Sequence, residues 1–100
     1  MVSGTVKTMV SENVPAGIWI VKGSVDFQSE SGEGSRMAQI YKANDEGARQ
    51  EVQGNSKGWT CLTVIDIIIL TATTTISIRA KQTSGGTIQC RGYLGLVRIK

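Results

Sequence analysis

The side chains that do chemistry are scarce in this chain. Histidine is absent from its 100 residues, which removes the commonest general base and the commonest transition-metal ligand. The two cysteines, Cys61 and Cys90, have no CxxC-type spacing, and two thiols alone cannot complete a structural zinc site. They either pair with each other or serve as small buried apolar residues. Asp66 lies inside Val64-Ile65-Asp66-Ile67-Ile68, where strand alternation aims it at the core. A carboxylate there needs a partner, which points to Arg98 or Arg79 unless a bulge turns it outward. No readable spacing brings a second acid to it, as two-carboxylate catalysis would require. Gly32-Glu33-Gly34 has the look of a phosphate-cradling loop, but no Lys-Ser/Thr pair and no helix start follow, so it reads as a hairpin turn rather than a P-loop. The expectation is a non-enzymatic protein with no catalytic residue, no metal ligand and no cofactor.

Binding residues are easier to nominate. The polar loops 29–35, 43–47 and 53–58 are where a binding surface would form. Trp59, at the edge of the last, would either stack on a saccharide or plug one end of the fold. Arg36 and Lys57, beside and within those loops, join it as candidate ligand-facing residues. The net charge of +3 is spread along the chain and gives no basic patch for nucleic acid. Residues 1–10 lack the charged and apolar regions of a signal peptide. The longest apolar run, Ile67-Ile68-Ile69-Leu70, is too short to cross a membrane. Synthesis in a reducing cytoplasm is therefore expected, with no nucleic-acid or membrane partner.

The elements that must position these residues are strands. No window of ten or more residues holds a helical period, whereas period-two alternation with turn punctuation recurs throughout. The strands read as Thr5–Val10, Ile18–Gln28, Arg36–Lys42, Ala48–Val52, Trp59–Thr71, Thr75–Gln82 and Thr87–Ile99. The turns are Ser29–Ser35, Ala43–Gly47, Gly54–Gly58, Ala72-Thr73-Thr74 and Ser84-Gly85-Gly86. Seven closely spaced strands mean an all-β sandwich or barrel. One hundred residues make one domain.

The stretch Trp59–Thr71 sets a harder constraint. Leu62, Val64, Ile68 and Leu70 face one way, and Thr63, Ile65, Ile67 and Ile69 face the other. A two-layer domain buries one face of a strand. In so short a chain, the natural cover for the second is another copy.

Three segments together resemble the jelly-roll superfamily of tumour necrosis factor and the complement globular head. They are Gly17-Ile18-Trp19 continuing in alternation to Phe27, the long strand, tight turn and following strand from Trp59 to Ala80, and the closing Gly92-Tyr93-Leu94-Gly95-Leu96-Val97-Arg98-Ile99. The likeness spans about residues 14–99, with threonines before Ile76 where the family often has Gly-Asp, and a shorter N-terminal part. The chain is similar in flavour to compact versions of this fold in bacteriophage structural proteins, through Gly17-Ile18-Trp19, Gln82-Thr83-Ser84-Gly85-Gly86 and Tyr93-Leu94 followed by Val97-Arg98-Ile99.

The resemblance implies a jelly-roll β-sandwich of two antiparallel sheets that assembles as a homotrimer. Trp19, Val21, Val25, Phe27, Leu62, Val64, Ile68, Leu70, Leu94 and Leu96 would form the core. Ile18, Ile20, Lys22, Thr63, Ile65, Ile67, Ile69, Tyr93, Val97 and Ile99 would form the trimer interface. Lys22 would approach its symmetry copies near a threefold axis, joined there by an anion, water or carboxylate, or else lie solvated at one open end. Cys61 and Cys90 would sit on strands separated by a third, about 10 Å apart and beyond disulfide reach, so free thiols are expected. Residues 13–100 would be the jelly-roll domain, and residues 1–12 a short strand or a segment that docks to other virion proteins. The function implied is a virion structural protein such as a head fibre, a capsid decoration or a tail-fibre tip. It would sit on the virion surface after synthesis in the host cytoplasm, with a host saccharide as a candidate ligand. Two other classes fit the sequence less well. A secreted cytokine-like or adhesin module calls for an export signal, and a cupin-type enzyme calls for histidine ligands.

Overall fold

The structure, a computed structural model, describes residues 1–28, 34–53 and 59–100. It is all-β, with seven strands among the described residues: β1 Lys7–Val14, β2 Gly17–Phe27, β3 Ser35–Lys42, β4 Asp45–Gln53, β5 Thr60–Leu70, β6 Thr74–Gln82 and β7 Cys90–Arg98. Two antiparallel sheets result, β1-β6-β3-β4 and β5-β2-β7. Every connection crosses between the sheets except the β3–β4 hairpin, so the two layers are interlocked along the chain.

Three boundaries differ from expectation for identifiable reasons. The first strand runs from Lys7 to Val14 rather than Thr5 to Val10, because β6 offers partners as far as Thr74. A domain boundary at 12/13 would cut this strand. The loop expected over 43–47 shrinks to Ala43-Asn44. Ala43 takes the left-handed conformation (φ 52°), and its N–H donates to the Thr75 carbonyl at 2.8 Å, so the chain reverses early and Asp45 already pairs with Lys42. The last strand begins at Cys90 rather than Thr87, because residues 83–89 are held by isolated backbone bonds to Met1, Gln28 and Ser35 and by side-chain bonds, instead of a ladder.

The side-chain bonds centre on Gln82, which is fully buried. Its amide nitrogen donates to the Gly86 carbonyl (2.6 Å) and the Met1 carbonyl (3.1 Å), and its oxygen accepts from the Ser84 N–H (2.7 Å). The N-terminal residues are pinned to the same turn. The Met1 ammonium donates to Ile88 O at 2.6 Å, Gly85 N donates to Ser3 Oγ at 2.8 Å, and Gly4 N donates to Gln82 O at 2.7 Å. Buried polar groups are tolerated when bonded in this way.

The core lies between the sheets. Val21, Val25 and Phe27 of β2 and Leu62, Val64, Ile68 and Leu70 of β5 are buried against Ala38 and Ile40 of β3 and Ile76, Ile78 and Ala80 of β6. Trp19, Leu94 and Leu96 are half-buried and pack against this cluster. Gly23 is a contact point between the layers, since a Cβ there would stand 2.6 Å from Ile78 Cδ1.

Arg36 departs from its expected position at a ligand surface. It shares the inward parity of Ala38 and Ile40, is 1% exposed, and donates from Nη1 to the Ser35 carbonyl at 3.1 Å. Strand parity, which governs where a side chain points, decides this over nearness to a loop. Lys57 lies outside the described residues, as do most of the two long polar turns.

Candidate functional site

The feature this fold leaves over is the outer face of the three-stranded sheet. Register fixes its rows. Ile69 of β5 pairs with Ile18 of β2, and Ile67, Ile20 and Val97 stand abreast across β5, β2 and β7. Next come Ile65, Lys22 and Gly95, then Thr63, Ser24 and Tyr93, then Cys61, Asp26 and Arg91. Ile99 extends the first row, its N–H donating to the Ile18 carbonyl at 2.7 Å.

The rows sort by chemistry along the strands. The end near Ile18 is apolar: Ile65, Ile67 and Ile69 are 61%, 63% and 65% exposed, Val97 62% and Ile99 53%. Ile20 is exposed, Ile18 half-buried, and Tyr93 exposed one row beyond Lys22. The far end is polar, where Arg91 approaches Asp26 at 3.7 Å. So many adjacent large apolar side chains exceed the scattered ones that a soluble surface normally carries. Lys22 stands exposed between Ile65 and Gly95. The ion pairs among the described residues are Arg49–Glu51 and Arg91–Asp26, and neither involves it. The ten residues expected at an interface thus share one face, with Thr63 toward its polar end.

Asp66 behaves differently from expectation. The β2–β5 register is unbroken, so no bulge turns it out, and neither Arg98 nor Arg79 meets it. Its Oδ2 accepts the Ala48 N–H of β4 at 3.0 Å. Arg79 instead donates to the Ala43 carbonyl and covers the Tyr41 ring at 4.1 Å, and Arg98 donates to the Ala16 carbonyl. Gly47 leaves room for the carboxylate, since a Cβ there would lie 2.8 Å from Oδ2. Nearby, Gln50 Oε1 accepts the Thr63 N–H of β5 at 3.2 Å. These two bonds join edge strands of different sheets and occupy amides that would otherwise offer an open edge. Only the strand order shows which side chain meets which edge. Beside this seam runs a groove of about 360 Å³ lined by Lys42, Asp45, Glu46, Asp66, Ile67 and Ile69, among others.

Trp59 is 43% exposed, with the Arg91 guanidinium 4.8 Å from its ring centre. It borders a cleft of about 480 Å³ together with Lys7, Met9, Gln89 and Arg91. The cysteines are free, Cys61 exposed and Cys90 half-buried, with β2 between their strands. The Asp26 carboxylate, by accepting a hydrogen bond from the thiol and repelling the thiolate, holds Cys61 above the usual thiol range. Burial does the same for Cys90. Raised values make both poor nucleophiles at neutral pH. Among the described residues, no three acidic or thiol side chains gather where they could hold a metal ion, and no helix is long and apolar enough to cross a membrane.

No family model and no curated protein matches this chain. Among solved structures it is similar to a chain in the structure of infectious bursal disease virus, Gt strain, with a TM-score of 0.66 and 19% identity. The likeness covers 93% of this chain and 27% of the viral one, so it relates this domain to about a quarter of a larger protein. At that identity the shared property is the all-β fold.

Proposed function

We propose that this chain is a non-enzymatic virion structural protein that acts as a homotrimer, of the kind that forms a head fibre, a capsid decoration or a tail-fibre tip on a bacteriophage. The observation that carries the reading is the outer face of the β5-β2-β7 sheet. Ile20, Ile65, Ile67, Ile69, Val97 and Ile99 present a continuous apolar surface with no described residue of the same chain packed over it. Closed symmetry is the usual means of covering such a surface. The fold likeness to a chain from a virus structure supports a place in a particle. The strand order supports a jelly roll, with four strands on three and all but one connection crossing between layers.

On this reading the apolar face lies inward in the assembly, and the clefts and loops face the surroundings. Residues 1–12 dock to other virion proteins as an ordered edge, since Met1 to Gly4 are hydrogen-bonded to residues 82–88 and β1 is the outermost strand of its sheet. The cleft beside Trp59 is the place for a surface saccharide, the ring offering a stacking platform and Lys7 and Gln89 polar contacts.

Two measurements test this reading. Light scattering at micromolar concentration should give a mass near three times the 10.7 kDa of the chain. Mass spectrometry of particles purified from the source culture should find the protein at stoichiometric level. A monodisperse monomer, or particles free of the protein, would overturn the reading.

A further inference from the structure

We infer that the trimer interface is heterologous, with Lys22 of one copy seated in the acidic groove along the β4–β5 edge of the next. The inference rests on the trimeric reading above and says how the copies meet.

Lys22 occupies an awkward place if the apolar face is covered. It projects from the central strand β2, between Ile65 and Gly95 and next to the row Ile67-Ile20-Val97. Covering those neighbours takes the ammonium out of water, and an unpaired buried charge is strongly destabilising. Among the described residues, no carboxylate of its own copy is in an ion pair with it, and the acid on the same face, Asp26, is matched to Arg91 at the opposite end. The partner must therefore come from another copy.

The same chain carries a surface of complementary charge. The groove beside the β4–β5 seam presents Asp45, Glu46 and Asp66 against one cation, Lys42. Asp66 uses Oδ2 for the Ala48 amide, which leaves its other oxygen for a second donor. Two isoleucines of the apolar face, Ile67 and Ile69, also line this groove, so face and groove form one continuous surface that turns the corner at β5. Within one copy the β5 isoleucines stand between Lys22 and the groove. A neighbour rotated about a threefold axis meets the face with its own edge. A ring closed by rotation needs two different patches that fit each other, which is what a positive face and a negative edge provide. Shape agrees as well as charge: Gly95 leaves the position beside Lys22 without a side chain, and a Cβ there would meet only the Lys22 carbonyl at 3.9 Å. The resulting dent is where the β3–β4 turn and its acids can enter.

Charge reversal tests the pairing by sedimentation equilibrium on the full chain. The variants are Lys22→Glu, the pair Asp45→Lys with Glu46→Lys, and all three together. These side chains are exposed, so each variant should keep the wild-type circular dichroism. Each reversal alone should lower the trimer association constant at least about a hundredfold, and the combination should return it to within about tenfold of wild type. If Lys22→Glu remains as trimeric as wild type, the pairing is wrong while the trimer stands. If Lys22→Glu dissociates and the combination does not recover, Lys22 meets something other than this groove, and the pairing is again wrong. A monomeric wild type would overturn both the pairing and the trimer.

Discussion

Truncation of Ile67 to alanine is the sharpest test of the exposed sheet. In the isolated chain Ile67 is 63% exposed and stands at the β5 end of its row, beside Ile20 and in line with Val97. Full burial of an isoleucine side chain stabilises by about 1.5–3 kcal/mol, so covering the remaining two-thirds should contribute about 1–2 kcal/mol per copy. Three copies bring that to about 3–6 kcal/mol per trimer, or about a hundredfold to ten-thousandfold in the association constant. The monomer should barely notice, since a substitution this exposed changes stability by about 0.5 kcal/mol or less. Sedimentation equilibrium across a range of concentrations separates the two effects. Ile67→Ala should shift the monomer–trimer midpoint to higher concentration, while its melting temperature under monomeric conditions stays near wild type. An unchanged midpoint would mean that this face is not where copies meet. A large fall in monomer stability would mean that Ile67 packs within its own chain.

Other substitutions probe the scaffold beneath that face. Gly23→Ala places a Cβ 2.6 Å from Ile78 Cδ1 and should cost about 1–3 kcal/mol. Adding Ile78→Val, which deletes that methyl, should recover part of the loss, and equal melting temperatures for Gly23→Ala and wild type would sink the contact. Asp66→Ala strands the Ala48 amide and should destabilise by about 1–2 kcal/mol in urea titration, whereas Asp66→Asn keeps an acceptor oxygen and should cost less than half as much. Cys61 should alkylate slowly near pH 7, and its rate should climb as pH rises through its raised thiol value. Asp26→Asn removes the main cause of that rise and should speed the reaction at fixed pH, so an unchanged rate would mean that Asp26 does not control this thiol.

Much of the architecture was legible because strand signals are local. The stretch Trp59–Thr71 is apolar on both parities, and it became a strand with one face in the core and the other open. Gly-rich and polar punctuation separated seven strands, and all seven formed. Boundaries were less legible where a partner strand rather than local propensity decided them. β1 follows β6 to Val14, and the β3–β4 turn closes on Ala43-Asn44 because Ala43 bonds to Thr75, a residue remote in sequence.

Side-chain partners divide in the same way. Parity alone predicts that Ile65, Ile67 and Ile69 share a face and that Asp66 opposes them, since alternation is a property of one strand. That Arg36 is buried follows from its parity as well, once its strand is known to line the core. Which residue satisfies Asp66 depends on which edge lies opposite β5, and that is a property of two sheets. The sequence offers Arg98 or Arg79 as partners for a buried acid, whereas packing supplies a backbone amide at 3.0 Å and a glycine that lets the acid reach it. The sequence by itself determined the strands, the doubly apolar segment and the absence of histidine chemistry, because those are counted along the chain. Only the tertiary structure decided which strands are neighbours, and therefore that the isoleucines gather in one open patch with a lone lysine inside it and an acidic groove at its edge.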